Sequence, residues 1–164
     1  LRSWGIIPRH LFGLVGILTM TFLHANWQHI ASNTVPLLIL LALLAGSQVS
    51  SWKVVPMIVI LGGSLLWLIG MHGNHIGASL LIFGLITFLI ASGLFFEKRP
   101  IPMAIAILVG FLYGLPLLRG VLPRFSNPAH VSWDGHLCGA IAGVTVAYVL
   151  ESRNQRRLSK NNPV

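Results

Sequence analysis

Charged residues are rare in this sequence. Only 9% of its 164 residues are Asp, Glu, Lys or Arg, and 55% are hydrophobic, whereas a soluble domain carries roughly 25% charged residues. Because so little polar surface cannot coat a soluble globule, the long apolar runs are predicted to be membrane spans, which need about 20 residues each. The sequence therefore predicts one all-α, polytopic membrane helical bundle without a second domain.

Acidic residues and cysteine are the scarcest reactive types. The acids are Glu97, Asp134 and Glu151, and the one cysteine is Cys138, so no intrachain disulfide is expected. A single aspartate excludes an aspartyl intramembrane protease, and the lack of an H-E-x-x-H helix excludes a zinc protease. A proton- or ion-coupled transporter is disfavoured because the predicted spans hold no carboxylate within their apolar length, Asp134 standing at the very start of the last one.

Five spans are predicted, at about 28–45, 54–69, 79–96, 103–118 and 133–150, within a membrane domain covering 1–151. Segment 1–27 is broken by proline and glycine and is predicted to be an outer, membrane-embedded loop. Segment 119–132 is predicted to be a second outer loop, and 152–164 a basic cytoplasmic tail.

The net charge of +8 is not distributed as in a nucleic-acid-binding protein. Basic residues lie at the ends of apolar segments, which is the positive-inside pattern of multi-pass membrane proteins. They include Lys53, Lys98, Arg99, Arg153, Arg156, Arg157 and Lys160. With 98–99 and the C-terminus in the cytoplasm, the third and fifth spans both run inward, so Ser79 and His136 begin on the same outer side.

Polar residues at membrane depth are candidates for function because burying a polar side chain in the bilayer costs free energy. His29 and Asn33 are four residues apart, so they share one helix face, and both can donate hydrogen bonds towards one point. Ser79 follows a glycine-rich loop at a helix start, where free N–H groups can stabilise an oxyanion. The plainer alternative for Ser79 is an ordinary helix N-cap.

His136, Gly139 and Gly143 lie at i, i+3 and i+7, which is one helical stripe. The two glycines let a neighbouring helix approach closely, so His136 is predicted to face that helix. The alternative is a satisfied core histidine on a packing face. Asp134 precedes His136 by two residues and points elsewhere on a helix, so the residues support a Ser-His dyad rather than a triad.

Three motifs resemble those of the rhomboid family of intramembrane serine proteases. Gly77-Ala78-Ser79 resembles the G-x-S nucleophile motif, and residues 136–143 resemble the H-x-x-G-x-x-x-G of the last span. The third motif is the spacing of His24, His29 and Asn33, which resembles the pattern at the second rhomboid span. Their order and spacing agree over nearly the whole chain.

This resemblance implies a role for each motif residue. Ser79 would attack the scissile carbonyl, His136 would act as general base, and His29, Asn33 and the Ser79 N–H would form the oxyanion hole. Segment 1–27 would be the first membrane-embedded loop, and 119–132 would cap the site. The remaining residues would shape the site: Gly77 by close backbone approach, Phe83 by stacking on the histidine in place of a tyrosine, and His24 by bracing the outer loop.

The implied activity is cleavage of peptide bonds in or near transmembrane segments of other membrane proteins, in a bacterial inner membrane and without a metal or cofactor. The expected partners are transmembrane substrates and the lipid bilayer, with no nucleic acid, and the oligomeric state is open. Two features depart from the family: Leu80 replaces a small residue after the serine, and five spans stand where a six-span core is expected. They favour, as an alternative, a pseudoprotease that binds transmembrane clients without cleavage; a small channel or transporter is a third class.

Overall fold

The computed structural model describes residues 4–47, 51–96, 99–123 and 132–161, without the side chains of 51 and 154–161. The structure is 82% helical, which confirms the predicted all-α helical bundle. The six helices are α1 (Gly16–Thr19), α2 (Trp27–Gly46), α3 (Ser51–Ile69), α4 (Ser79–Ala91), α5 (Pro100–Val121) and α6 (Trp133–Asn161).

Within the described ranges, five helices are long and apolar enough to cross a membrane, and this number of spans is the one predicted. They run over Trp27–Gly46, Trp52–Ile69, Ser79–Phe96, Pro100–Val121 and Trp133–Arg153. The fourth begins earlier than the predicted 103, because Pro100 occupies the first turn of α5, where its missing N–H is not needed. The last helix continues to Asn161, past the predicted start of the tail at 152.

Helix α4 is the centre of the bundle. Its membrane-length segment is 67% buried, against 17% for α2 and for α5. It packs most closely on α6, where a Cβ added at Gly139 would overlap the Leu80 carbonyl and one added at Gly143 would overlap the Gly84 carbonyl. The glycine stripe therefore brings the backbones of α4 and α6 into contact, as small residues do between membrane helices.

The N-terminal segment forms short turns rather than a span. A 3-10 turn at Leu11–Leu14, the four-residue α1 and a second 3-10 turn at Met20–Phe22 follow one another. The segment is fastened to the loop 70–78, which precedes α4. Ile6 and His75 exchange two backbone hydrogen bonds of 3.0 and 2.9 Å, and the Gly77 N–H donates to the Met20 carbonyl over 2.9 Å.

The predicted outer loop 119–132 is described only in part. Residues 124–131 lie outside the described residues, as do the side chains of Arg156, Arg157 and Lys160 and the end of the tail from 162. Lys98 lies outside them too. The loop as a cap and the tail as a cytoplasmic segment stay predictions.

Candidate active site

Ser79 is the first residue of α4. The helix N-cap is Ala78, so Ser79 does not occupy the capping position that the plainer alternative required. As the first helical residue, Ser79 has a backbone N–H without an intrahelical partner. Its side chain is half-buried, and it lines a small cavity together with Gly77 and Gly135.

The His136 ring lies over the face of α4 that begins with Ser79. The ring is buried and stacks on Phe83 with ring centroids 4.0 Å apart and planes 6° apart. Phe83 is four residues after Ser79, hence one turn along the same face. The two helices thus bring the histidine and the serine to the same end and the same side of their interface.

The hydrogen bond of His136 Nδ1 determines which ring nitrogen can act as a base. Nδ1 lies 3.1 Å from the Gly120 carbonyl oxygen at the end of α5. Because a carbonyl can only accept, Nδ1 carries the proton, and in the neutral ring Nε2 holds the lone pair that a general base needs. Within the described part of the chain, no hydrogen bond joins Ser79 to His136; such catalytic bonds are often long in unliganded enzymes.

His29 and Asn33 project from the first two turns of α2. Asn26 caps this helix by accepting the His29 N–H over 2.8 Å. His29 Nδ1 accepts the Ala25 N–H over 3.4 Å, which puts the proton of the neutral ring on Nε2. Asn33 is buried, and its Nδ2 donates one hydrogen to the His29 carbonyl over 2.8 Å. Each side chain therefore carries a donor whose direction is constrained by its own helix.

These donors meet the backbone at Gly77, two residues before the serine. Gly77 has φ +115°, a conformation that favours glycine. A Cβ at this position would lie 2.8 Å from His29 Nε2 and 3.9 Å from Asn33 Nδ2. The predicted oxyanion residues thus lie against the loop that leads into Ser79, and glycine is what allows the approach.

His24 contacts the His29 ring edge-to-face, with centroids 5.2 Å apart and planes at 76°. Its Nε2 atom is buried and has no protein hydrogen-bond partner among the described residues. The contact limits rotation of the His29 ring, whereas the bracing of the outer loop that the resemblance implies stays a prediction.

Leu80 turns into the protein. It is 2% exposed and belongs to a buried cluster with Ile6, Met20, Leu66 and Cys138. The close approach of Gly62 and Gly139 holds it between α3 and α6. Cys138 lies in the same apolar cluster.

Two features of the site carry no signal in the sequence motifs. One is the Gly120 carbonyl, since every residue has a carbonyl. The other is the environment of Asp134, whose carboxylate accepts hydrogen bonds from the Met71 N–H and the Ser132 hydroxyl, both over 2.8 Å. In the sequence, the one indication of a role for Asp134 is that it is the only acidic residue predicted on the outer side. Among the described residues, no three His, Cys, Asp or Glu side chains cluster as metal ligands do.

Taken together, the fold and these residues define a multi-pass helical integral membrane protein that carries a candidate serine-histidine site at one end of the bundle. The family model of the rhomboid domain matches residues 11–153. The chain belongs to the rhomboid family, a family of intramembrane proteases that includes inactive members.

Mycobacterial proteins are similar to this chain. Uncharacterized proteins of Mycobacterium bovis and Mycobacterium tuberculosis are each 44% identical over 160 residues, covering 93% of this chain and 65% of theirs. An uncharacterized protein of Mycobacterium leprae is 46% identical over 151 residues, covering 87% of this chain and 59% of its own. The chain thus spans less than two thirds of these relatives' lengths. No solved structure matches it significantly.

Proposed function

We propose that this chain is an intramembrane serine endopeptidase in which Ser79 is the nucleophile and His136 the general base. The observation that carries the proposal is the environment of His136. The ring stacks on Phe83 above the face of α4 that Ser79 begins, and the Gly120 carbonyl fixes the proton on Nδ1. Nε2 is then the nitrogen of the neutral ring that can act as the base for the serine proton.

In the proposed reaction, Ser79 Oγ attacks the carbonyl carbon of the scissile peptide bond while His136 Nε2 accepts its proton. The Ser79 N–H, His29 Nε2–H and the second amide hydrogen of Asn33 stabilise the oxyanion that forms. His136 then protonates the leaving amine, which departs and leaves an acyl group on Ser79 Oγ. Water deprotonated by the same ring attacks this ester, and the ring returns the proton to Ser79 Oγ as the carboxylic acid product leaves.

The proposed substrates are transmembrane segments of other proteins, which fits the family as a whole. Because a stable helix hides its carbonyls in intrahelical hydrogen bonds, we expect the cleaved segments to contain helix-destabilising residues. The basic residues at the opposite end of the bundle from Ser79, Lys53 and Arg99 among them, support an orientation with the C-terminus in the cytoplasm and the site facing outward.

A serine-directed fluorophosphonate tests the nucleophile. The wild type should take up the probe, Ser79→Ala should take up none, and His136→Ala should react at least about 100-fold more slowly because the hydroxyl loses its base. Ser92→Ala is the matched control, since Ser92 is a buried serine following the other end of α4. Labelling that persists in Ser79→Ala would contradict the assignment of Ser79 as the nucleophile.

The alternative is a rhomboid-like pseudoprotease that binds transmembrane clients without cleaving them. One observation favours it: among the described residues, no hydrogen bond joins the Ser79 hydroxyl to the His136 ring. A folded wild-type protein that captures helical membrane proteins by crosslinking, takes up no probe and yields no cleaved product would support this function over proteolysis.

A further inference from the structure

A second polar cluster lies beside the proposed site and outside the proposed catalytic set. It joins His75, in the loop 70–78, to Ser132 and Asp134 at the start of α6; we call these three residues the loop latch. The His75 and Asp134 side chains are each only 10% exposed. Buried polar groups of this kind are costly unless they are fully hydrogen-bonded.

Both carboxylate oxygens of Asp134 accept a hydrogen bond, one from the loop 70–78 and one from Ser132. Oδ2 accepts the Met71 N–H over 2.8 Å, and Oδ1 accepts the Ser132 hydroxyl over 2.8 Å. Met71 belongs to the loop 70–78, 63 residues before Asp134 in the chain. The carboxylate therefore ties the loop before Ser79 to the helix that carries His136.

The Ser132 hydroxyl determines how His75 takes part. Its single proton goes to Asp134, and its oxygen accepts the Gly135 N–H over 3.1 Å, so His75 Nδ1, 2.7 Å away, has to donate. His75 Nε2 lies 3.0 Å from the Met71 carbonyl, which also only accepts. Nε2 also lies 3.8 Å from Asp134 Oδ2.

The backbone of the same loop is held from the other side. His75 exchanges two hydrogen bonds with Ile6, and the Gly77 N–H donates to the Met20 carbonyl. Met20 and Leu66, which line the small cavity together with His75, are apolar. The loop is thus clamped between the N-terminal segment and α6, and Ser79 follows Gly77 by two residues.

We propose that His75 and Asp134 are positioning residues for Ser79. By fixing the loop 70–78, the latch keeps Gly77 against His29 and Asn33, so that the Ser79 N–H and these two donors point at one oxyanion. This inference rests on the proposed function of Ser79, while the latch itself is independent of catalysis. Small displacements of a reacting group lower rates steeply, by about 100-fold for 1 Å.

The first measurement is hydrogen exchange of the backbone amides of 71–77 in the full chain. Asp134→Asn keeps the shape of the side chain but replaces one acceptor by a donor, and His75→Ala removes the ring. Both should raise exchange in 71–77 at least about tenfold, because loop amides lose protection when their packing loosens. Amides within Pro100–Val121 should be unchanged, which shows that the fold persists. His72→Ala is the matched control, since His72 is exposed on the same loop.

The second measurement is the fluorophosphonate reaction. Its maximal rate should fall about 10- to 100-fold in either variant, with an unchanged half-saturating probe concentration, because alignment rather than binding is lost. The double variant should be no slower than the slower single variant, since both break one latch. If the α5 amides of His75→Ala also exchange faster, that variant has lost its fold, and the test then relies on the isosteric Asp134→Asn.

The outcomes separate the two proposals. Unchanged exchange in 71–77, or raised exchange with an unchanged labelling rate, overturns the positioning role. A wild type that takes up no probe counts against the protease proposal alone, because exchange reports on the latch without any reaction.

Discussion

Helices α6 and α5 both flank the central helix α4, but they contact it in opposite ways. On α6, a Cβ at Gly139 or Gly143 would overlap the backbone of α4. On α5, a Cβ at Gly110 or Gly114 would meet nothing within 4 Å. Glycine therefore marks a close backbone contact on α6 and open space on α5. We call the contact of Gly139 and Gly143 with α4 the close seam.

The proposed catalytic residues lie on the two helices that are in close contact, α4 and α6, and not on α5. Ser79 is the first residue of α4 and His136 lies in the first turn of α6, beside the close contact between these two helices, where the backbones have little freedom to move. Helix α5 is packed at its other end, where Gly93 lies against the Pro102 carbonyl and Ala106. At the end near the site, α5 reaches the seam through Gly120, which accepts from His136 and touches Phe83. We infer that α4 and α6 fix the pair while α5 fixes the histidine tautomer.

The largest effect is expected from adding a methyl group inside the seam. In Gly139→Ala, the new Cβ overlaps the Leu80 carbonyl, and backbone atoms cannot rotate away. We expect the free energy of unfolding to fall by about 1–3 kcal/mol. We also expect the fluorophosphonate reaction to slow at least about 100-fold, because Leu80 adjoins Ser79, the proposed nucleophile. Thermal unfolding in detergent and labelling kinetics measure the two effects.

Gly114→Ala is the control for this prediction, being a glycine of α5 with open space around it. It should leave labelling unchanged and stabilise the helix by about 0.5–1 kcal/mol, since alanine loses less backbone entropy. Equal destabilisation by the two substitutions would contradict the distinction between a close seam and a loose α5.

The parts of the molecule that could be predicted from the sequence are those set by local patterns. Apolar runs indicated the five spans, and the i, i+3, i+7 stripe indicated which face of α6 meets its neighbour. The four-residue spacing of His29 and Asn33 put them on one face, and the structure has both next to Gly77. The catalytic and oxyanion roles of these residues stay predictions.

Contacts between distant segments could not be predicted in this way. Ser132 and His75 are 57 residues apart, and nothing local indicates that they bond. The acceptor for His136 is a backbone carbonyl, a group that every residue has. The helix continues to Asn161, into the predicted tail, and Arg, Gln, Leu and Lys in that stretch are good helix formers.

A smaller effect is expected where α5 meets the seam. In Gly120→Ala, the Cβ would overlap the end of the Phe83 ring and lie 3.3 Å from His136 Nδ1. Because a ring can move where a backbone cannot, we expect a roughly 30-fold slower fluorophosphonate reaction with little change in the unfolding temperature. Gly110→Ala, on the same helix with open space, should react at the wild-type rate. A wild-type rate for Gly120→Ala would mean that α5 does not hold the histidine.

The smallest effect concerns the stack between Phe83 and His136, which lies inside the seam but involves only side chains. Aromatic pairs contribute about 0.5–1.5 kcal/mol beyond the area that they bury. Phe83→Leu should therefore slow labelling roughly 3- to 10-fold, whereas Phe83→Tyr keeps the ring face and should stay within about twofold. The effect is limited because the Gly120 carbonyl still holds Nδ1 when the stack is lost. If Phe83→Leu were as slow as Gly139→Ala, the stack rather than the backbone contact would be the main support of the histidine, and the close approach of α4 and α6 would matter chiefly for stability.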